Sequence, residues 1–95
     1  DDIHVELPIS LNEAVLGARV EAPTVTGKVL LTIPKGSSTG QVLRLKGKGA
    51  PQPGGRGDQL VTLKLVLAPG PDAELEAFLQ NWEVGKVFNP RRHQA

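Results

Sequence analysis

Apolar and polar residues alternate at the start of the chain, and this alternation predicts a β-strand. Ile3, Val5, Leu7 and Ile9 fall on one side of such a strand, with polar residues and Pro8 between them. A period of two places one face against a core and leaves the other open to solvent. Because proline cannot donate a ladder hydrogen bond, we expect Pro8 at a sheet edge or a strand end.

A short helix is predicted directly after this strand. Ser10 and Glu13 have the spacing of a capping box, and Leu11, Ala14 and Val15 supply an apolar side. Gly17 is the expected C-terminal cap. A helix of about two turns is too short to persist alone, so we expect it to pack on a sheet.

The alternating pattern returns four times further along the chain. We expect strands over residues 19–23, 28–33, 41–46 and 60–67. Residues 24–27 between the first two of them predict a hairpin turn. The pattern therefore indicates a mainly β fold, a two-sheet, sandwich-like domain with a short helix after the first strand.

Glycine and proline dominate residues 47–58, which predicts a wide turn before the last strand. The glycines match neither the dinucleotide-binding pattern nor the P-loop pattern, because Gln52 stands at the third glycine position of the first and Val42 at the leading glycine position of the second. We interpret this stretch as a connection that needs glycine for its backbone conformation.

A different pattern begins after Pro69-Gly70-Pro71. Leu75, Phe78, Leu79 and Trp82 follow the helical spacing i, i+3, i+4 and i+7, which predicts a C-terminal helix ending near Gly85. Two interpretations stay open for this apolar stripe. It either docks on the chain's own sheet or forms a self-association surface, to which Val87 and Phe88 add apolar area.

Composition favours the second interpretation. The chain has 95 residues, is 39% hydrophobic and has three aromatic residues, all of them in its last fifth. The core of the first seventy residues must therefore be aliphatic.

The chain has no cysteine, which permits a reducing compartment, and no apolar run long enough to cross a membrane. It has no methionine and begins at Asp1, which indicates a processed protein or a piece of a longer one.

Charge is nearly balanced overall, at +1, but it is unevenly distributed. Between residues 28 and 64 there are seven basic residues and one acid, Asp58. We call the seven the basic belt: Lys28, Lys35, Arg44, Lys46, Lys48, Arg56 and Lys64. It is either a solvated face or, as an alternative function, a nucleic-acid-binding surface. The belt contains no aromatic residue on which bases could stack, so we do not expect nucleic acid as the main partner.

Nothing in the sequence indicates an enzyme. His4 and His93 lie at opposite ends of the chain, and no metal-binding or acid–base motif accompanies either of them. We therefore expect no catalytic residue, no cofactor and no metal site, and a protein that acts through its surface.

Residues 1–67 resemble the second C-terminal β-domain of DnaJ-type co-chaperones. The matching stretches are residues 1–17, 20–24, 33–36, 43–51 and 57–58, together with Gly27 and Gly40. Gln59 departs from the family, which usually has an apolar residue there. The resemblance implies a β-domain over residues 1–68 and a C-terminal segment over residues 69–95.

The resemblance also implies a function. Such domains belong to cytoplasmic homodimers that bind unfolded polypeptide and deliver it to a DnaK-type chaperone. A peptide groove carried over by position from the family's sister domain involves Val5, Leu7, Ala22 and Thr24. For dimerisation, the expected residues are Leu75, Phe78, Leu79, Trp82, Val87 and Phe88.

Overall fold

The computed structural model describes residues 2–93, so Asp1, Gln94 and Ala95 lie outside the described residues. Its largest sheet, sheet A, has the strand order β1-β7-β4. Strand β1 (Ile3–Ile9) runs parallel to β7 (Gln59–Leu65), and β4 (Val42–Leu45) runs antiparallel to β7. The chain thus places its first and last strands side by side, which ties the two ends of the β-domain together.

Helix α1 (Leu11–Leu16) begins at the predicted capping box. The Glu13 N–H donates to Ser10 Oγ (3.1 Å), and the Ser10 N–H donates to Glu13 Oε1 (2.9 Å). Gly17 caps the other end with a φ of 78°. Of its apolar residues, Ala14 is buried and Leu11 is partly buried, whereas Val15 is 52% exposed, so the helix packs on the sheet by a narrower face than the sequence predicts.

Sheet B consists of β2 (Ala18–Thr24) and β3 (Gly27–Ile33), joined by the predicted hairpin turn. Within the turn, Thr24 Oγ1 donates to the carbonyl oxygen of Gly27 and accepts the Thr26 N–H. Sheet C is a small hairpin of β5 (Pro51–Gln52) and β6 (Gly55–Arg56), which lies in the glycine- and proline-rich connection.

The core lies between sheets A and B. Its buried side chains are aliphatic, as the composition predicts, and they come from β1, α1, β2, β3 and β7: Ile9, Ala14, Ala22, Leu31, Ile33, Val61 and Leu63. The prediction of a mainly β domain with a helix after the first strand is confirmed. The structure adds a third sheet to the two expected.

The C-terminal segment contains two helices, not the single one predicted. Helix α2 (Ala73–Asn81) is capped by Asp72, whose side chain accepts the Leu75 N–H, and α3 (Glu83–Val87) follows after Trp82. Among residues 69–93 of this segment, none belongs to the buried core. The radius of gyration is 17.0 Å, against about 12 Å for a compact chain of this length. The molecule is therefore elongated.

Candidate functional site

Strand β1 has an unpaired edge on the side away from β7. The Ile3 N–H donates to Asp58 O (2.9 Å) and Ile9 O accepts from the Val66 N–H (2.8 Å) at the two ends of its parallel ladder. Backbone groups alternate between the two sides of a strand. His4, Glu6 and Pro8 therefore direct theirs to the open edge, where the missing N–H of Pro8 costs no ladder bond.

Strand β2 has an unpaired edge on the side away from β3, and at one end this edge faces sheet A. The carbonyl oxygen of Pro23 accepts a hydrogen bond from Gln59 Nε2 at 2.6 Å. By the same alternation, Arg19 and Glu21 direct their N–H and carbonyl groups to this side as well. Within residues 2–93, β1 and β2 are not hydrogen-bonded to each other. We call the space between their open edges the edge gap.

Both ends of the edge gap are fixed. At one end α1 connects β1 to β2, and the loop after β3 is bound to it through Gly36 N–H to Val15 O (3.2 Å) and Ser37 N–H to Ala14 O (2.8 Å). At the other end lies the Gln59–Pro23 hydrogen bond. Gln59 is only 1% exposed, and it is the buried polar residue of a core that is otherwise apolar.

The four residues predicted for peptide binding all face the interior side of the edge gap. Val5 and Leu7 are partly buried and pack against the core. Ala22 is fully buried, at 0% exposure, so its side chain is part of the core itself. Thr24 is partly buried, and its hydroxyl is bound within the β2–β3 turn. Strand alternation thus turns all four side chains toward the interior, and of the four only Ala22 is fully buried.

The residues predicted for dimerisation are mostly open to solvent. Phe78 and Leu79 on α2 are 59% and 45% exposed, and Trp82 directly after it is 45% exposed. Val87 at the end of α3 and Phe88 after it are 71% and 67% exposed. Leu75 is partly buried. The rings of Phe78 and Trp82 stack at a centroid distance of 6.0 Å.

An apolar groove separates α1 from α2. It has a volume of about 400 Å³, and its lining combines both helices: Leu11, Asn12, Val15, Leu16, Leu75, Phe78, Leu79 and Trp82. Sequence reasoning missed Val15 and Leu16 as members of this surface, and it also missed Val84, which is 64% exposed on α3. The available signal was that α1 has more apolar residues than one narrow packing face requires.

The basic belt is not a single surface. Lys64 and Arg44 point outward from sheet A, Lys28 points outward from sheet B, and Lys35 lies in the β3–β4 connection. Because the belt residues lie on different sheets and in different connections, residues that are close in sequence point to different sides of the domain. Four belt residues do share one end of the domain, which we call the hairpin end, near the β2–β3 turn and the start of β7: Lys28, Lys46, Lys48 and Arg56.

Asp58 pairs with a further residue of the basic belt, Arg44. Its carboxylate accepts the Gly47 N–H (2.9 Å) and Arg44 Nη1 (2.6 Å), and its own N–H donates to Asp2 Oδ1 (2.8 Å). The Gly47 bond, followed by the Arg44 bond, lowers the pKa of Asp58 below its usual range. Within residues 2–93 no group of histidine and carboxylate side chains is arranged to hold a metal ion, and no helix is long and apolar enough to span a bilayer.

Comparison with known proteins finds a matching family model and similar proteins in several bacteria. Residues 1–68 match the family model described as the DnaJ C terminal domain. Chaperone protein DnaJ 2 of Mycolicibacterium paratuberculosis is 39% identical over 95 residues, which cover 96% of this chain and 24% of that protein. Curved DNA-binding proteins of Salmonella arizonae and Salmonella newport are each 42% identical over 92 residues, which cover 96% of this chain and 30% of theirs. The chain thus spans less than a third of the length of these relatives.

Proposed function

The chain belongs to the DnaJ C-terminal domain family, a non-catalytic family of chaperone domains, and from this premise we propose that it binds unfolded polypeptide and pairs with a second copy of itself. Polypeptide binds at the edge gap, and self-association uses the C-terminal segment. In a longer protein, the domain holds its client for delivery to a DnaK-type chaperone in the cytoplasm. Polypeptide binding thus belongs to the β-domain of residues 1–68, and self-association belongs to the segment of residues 69–95.

The observation that carries the client-binding proposal is the pair of open strand edges above partly buried apolar side chains. Along β1, His4 and Glu6 offer free backbone donors and acceptors, and along β2 Arg19 and Glu21 do the same. An extended polypeptide recognised in this way adds as a strand, so that main-chain hydrogen bonds supply affinity for any sequence. Alternate apolar side chains of the client then contact Val5 and Leu7.

A proline placed on the open edge of β2 tests this proposal. Glu21→Pro removes an outward N–H, and we expect it to weaken binding of an unstructured decapeptide of alternating Leu and Ser at least several-fold, because the edge loses one donor and gains a bulky ring. Binding is followed by amide shifts in ¹⁵N NMR. Leu30→Pro is the matched control, because Leu30 lies opposite Glu21 in the register and directs its N–H to the far edge of β3.

Two results would contradict the client-binding proposal. One is the absence of any shift at His4, Glu6, Arg19 and Glu21 with the peptide at millimolar concentration. The other is equal loss of binding in Glu21→Pro and Leu30→Pro.

Self-association is supported by apolar surface that the monomer leaves exposed. As far as the structure describes it, the C-terminal segment supplies no core residue, yet it carries all three aromatic side chains of the chain. Burying a side chain such as Phe or Trp stabilises by about 1.5–3 kcal/mol. An apolar patch of this kind marks an interaction site, and a second copy of the chain brings the same patch.

Sedimentation equilibrium tests self-association directly. We expect a mass twice that of the 10.1 kDa chain, and a return to the monomer mass in the double variant Val87→Ser with Phe88→Ser, because two of the most exposed apolar side chains are lost. The control is Val25→Ser with Val42→Ser, which removes valines of 55% and 54% exposure from the β-domain. A wild-type chain that stays monomeric at high concentration would refute self-association.

A second candidate function, nucleic-acid binding, is favoured by the cations gathered at the hairpin end and by the name of the Salmonella relatives, curved DNA-binding protein. Phosphate contacts of this kind weaken steeply as salt rises from about 50 to 200 mM. We expect Lys46→Ser with Lys48→Ser to reduce duplex binding, measured by fluorescence anisotropy. The matched pair Lys35→Ser with Lys64→Ser, away from the hairpin end, has little effect. Equal loss in both pairs, or no binding at low salt, would reject this candidate.

A further inference from the structure

We propose that the side-chain amide of Gln59 takes the place of an added strand at one end of β2 and so determines where a bound polypeptide strand must stop. This inference rests on the proposed binding of clients at the edge gap. It makes Gln59 a specificity-determining residue, although its side chain is buried and faces the core.

The contact that carries this inference links the two sheets. Gln59 Nε2 lies 2.6 Å from Pro23 O, across 36 positions of sequence. Within residues 2–93, no buried side-chain nitrogen or oxygen lacks a hydrogen-bond partner. The amide therefore holds this carbonyl from inside the domain, at the point where the β2 edge reaches the turn.

Pro23 is then a poor partner for an incoming strand. Its nitrogen carries no hydrogen, and its carbonyl oxygen is already bound to Gln59. In an ordinary sheet this carbonyl would accept an N–H of the neighbouring strand. The side-chain N–H of Gln59 takes this acceptor instead, so a client pairs with Arg19 and Glu21 but not beyond them.

The opposite edge is limited in a similar way at its other end. Pro8 lies on the open side of β1 near α1, and it offers a carbonyl but no N–H. Complete donor and acceptor pairs remain at His4 and Glu6. The two edges are therefore fully open only in the middle of the edge gap. The ligand class that fits is a short extended segment of about four to six residues with alternating apolar side chains.

A series of peptides of increasing length tests this limit. Peptides of four to ten residues with alternating Leu and Ser are titrated into wild type, Gln59→Leu and Gln59→Met. In wild type, affinity rises with length and then levels off when the peptide reaches Glu21. In the Gln59 variants the free Pro23 carbonyl accepts one further N–H, and the longer peptides bind about 2-fold to 10-fold more tightly. Gln41→Leu is the control, because it removes an amide that accepts the Ser38 N–H in the β3–β4 connection.

The outcomes separate this inference from the proposed function. Wild type that binds peptide, with variants of unchanged affinity at every length, overturns the role of Gln59 and leaves client binding intact. Absence of binding in wild type and in all variants overturns both.

The side-chain amide of Gln59 also gives a direct readout in the wild-type protein, which does not depend on the stability of any variant. If the amide keeps its hydrogen bond to the Pro23 carbonyl, its NH₂ resonances stay unshifted and slow to exchange in the peptide complex. The inference is contradicted if these resonances shift and exchange faster on binding, while backbone N–H groups beyond Pro23 become protected from exchange.

Discussion

At the scale of single residues, Asp58 joins three separate parts of the β-domain. It binds Arg44 on β4, the backbone of Gly47 after β4, and Asp2 before β1. The hydrogen bonds from Gly47 and Arg44 favour its charged form and keep its pKa below the ordinary value of 3.8. Its ionised state therefore stabilises the fold.

The pH dependence of this contribution has a defined sign. Because the folded pKa is lower than the unfolded one, the stabilisation is complete above pH 3.8 and is lost as the pH falls through the folded pKa. We expect Asp58→Asn to lower the urea midpoint at pH 7, and the difference from wild type to shrink below pH 3.8. Equilibrium unfolding followed by circular dichroism measures both.

Glu6→Gln is the control for Asp58, because Glu6 is an exposed carboxylate on β1 with no ion pair among residues 2–93. A difference between Asp58→Asn and wild type that persists unchanged at pH 2 would show that the side-chain charge is irrelevant.

Single residues also show why sequence reasoning is incomplete. Alternation correctly places Val5 and Leu7 on the interior side of β1, because a strand's period is local. The bond from Gln59 to Pro23 has no such signal, since a side chain meets a backbone carbonyl from a distant strand. The position of Gln59 marks it as unusual, but its partner emerges only from the packing of the two sheets.

At the scale of elements, Gly17 determines how α1 returns to β2. Its φ is 78°, and a Cβ at this position would lie 3.1 Å from both Ile33 O and Lys35 N. We expect Gly17→Ala to lower the free energy of unfolding by about 2–4 kcal/mol, because strained backbone and close contacts with main-chain atoms add together. Urea unfolding measures the change.

Gly36→Ala separates the two causes. Gly36 has almost the same φ, 76°, but its Cβ would meet nothing within 4 Å. We expect a loss of about 1 kcal/mol there, from backbone conformation alone. Equal losses at the two glycines would mean that the approach of Ile33 and Lys35 has no energetic effect.

The elements themselves were predictable to different degrees. Strands with clear alternation and the capped helix α1 agree with the sequence, because caps and periods are local physical signals. Sheet C was not predicted, since two-residue strands among prolines and glycines have no period. The break at Trp82 was not predicted either. The apolar spacing runs through it, and the residue adopts an extended ψ of 99° without any proline or glycine at that position.

At the scale of the whole molecule, the β-domain and the C-terminal segment differ in what they bury. Every buried core residue in the described part of the chain falls within residues 9–63. We therefore expect a chain shortened to residues 1–68 to unfold cooperatively, with a free energy of unfolding within about 1 kcal/mol of the monomeric full chain. Thermal and urea unfolding at low concentration make the comparison. A shortened chain without a cooperative transition would show that α2 or α3 contributes to the core.

The open edges of β1 and β2, which face the edge gap, carry one proline each, Pro8 on β1 and Pro23 on β2. A strand edge with a full set of free donors and acceptors can pair with the edge of another copy, which leads to aggregation. Proline on such an edge commonly prevents this pairing. Here a gap in the donor pattern interrupts each edge after a few residues. We therefore expect these two edges to remain accessible to a client without pairing copies of the protein into long ladders.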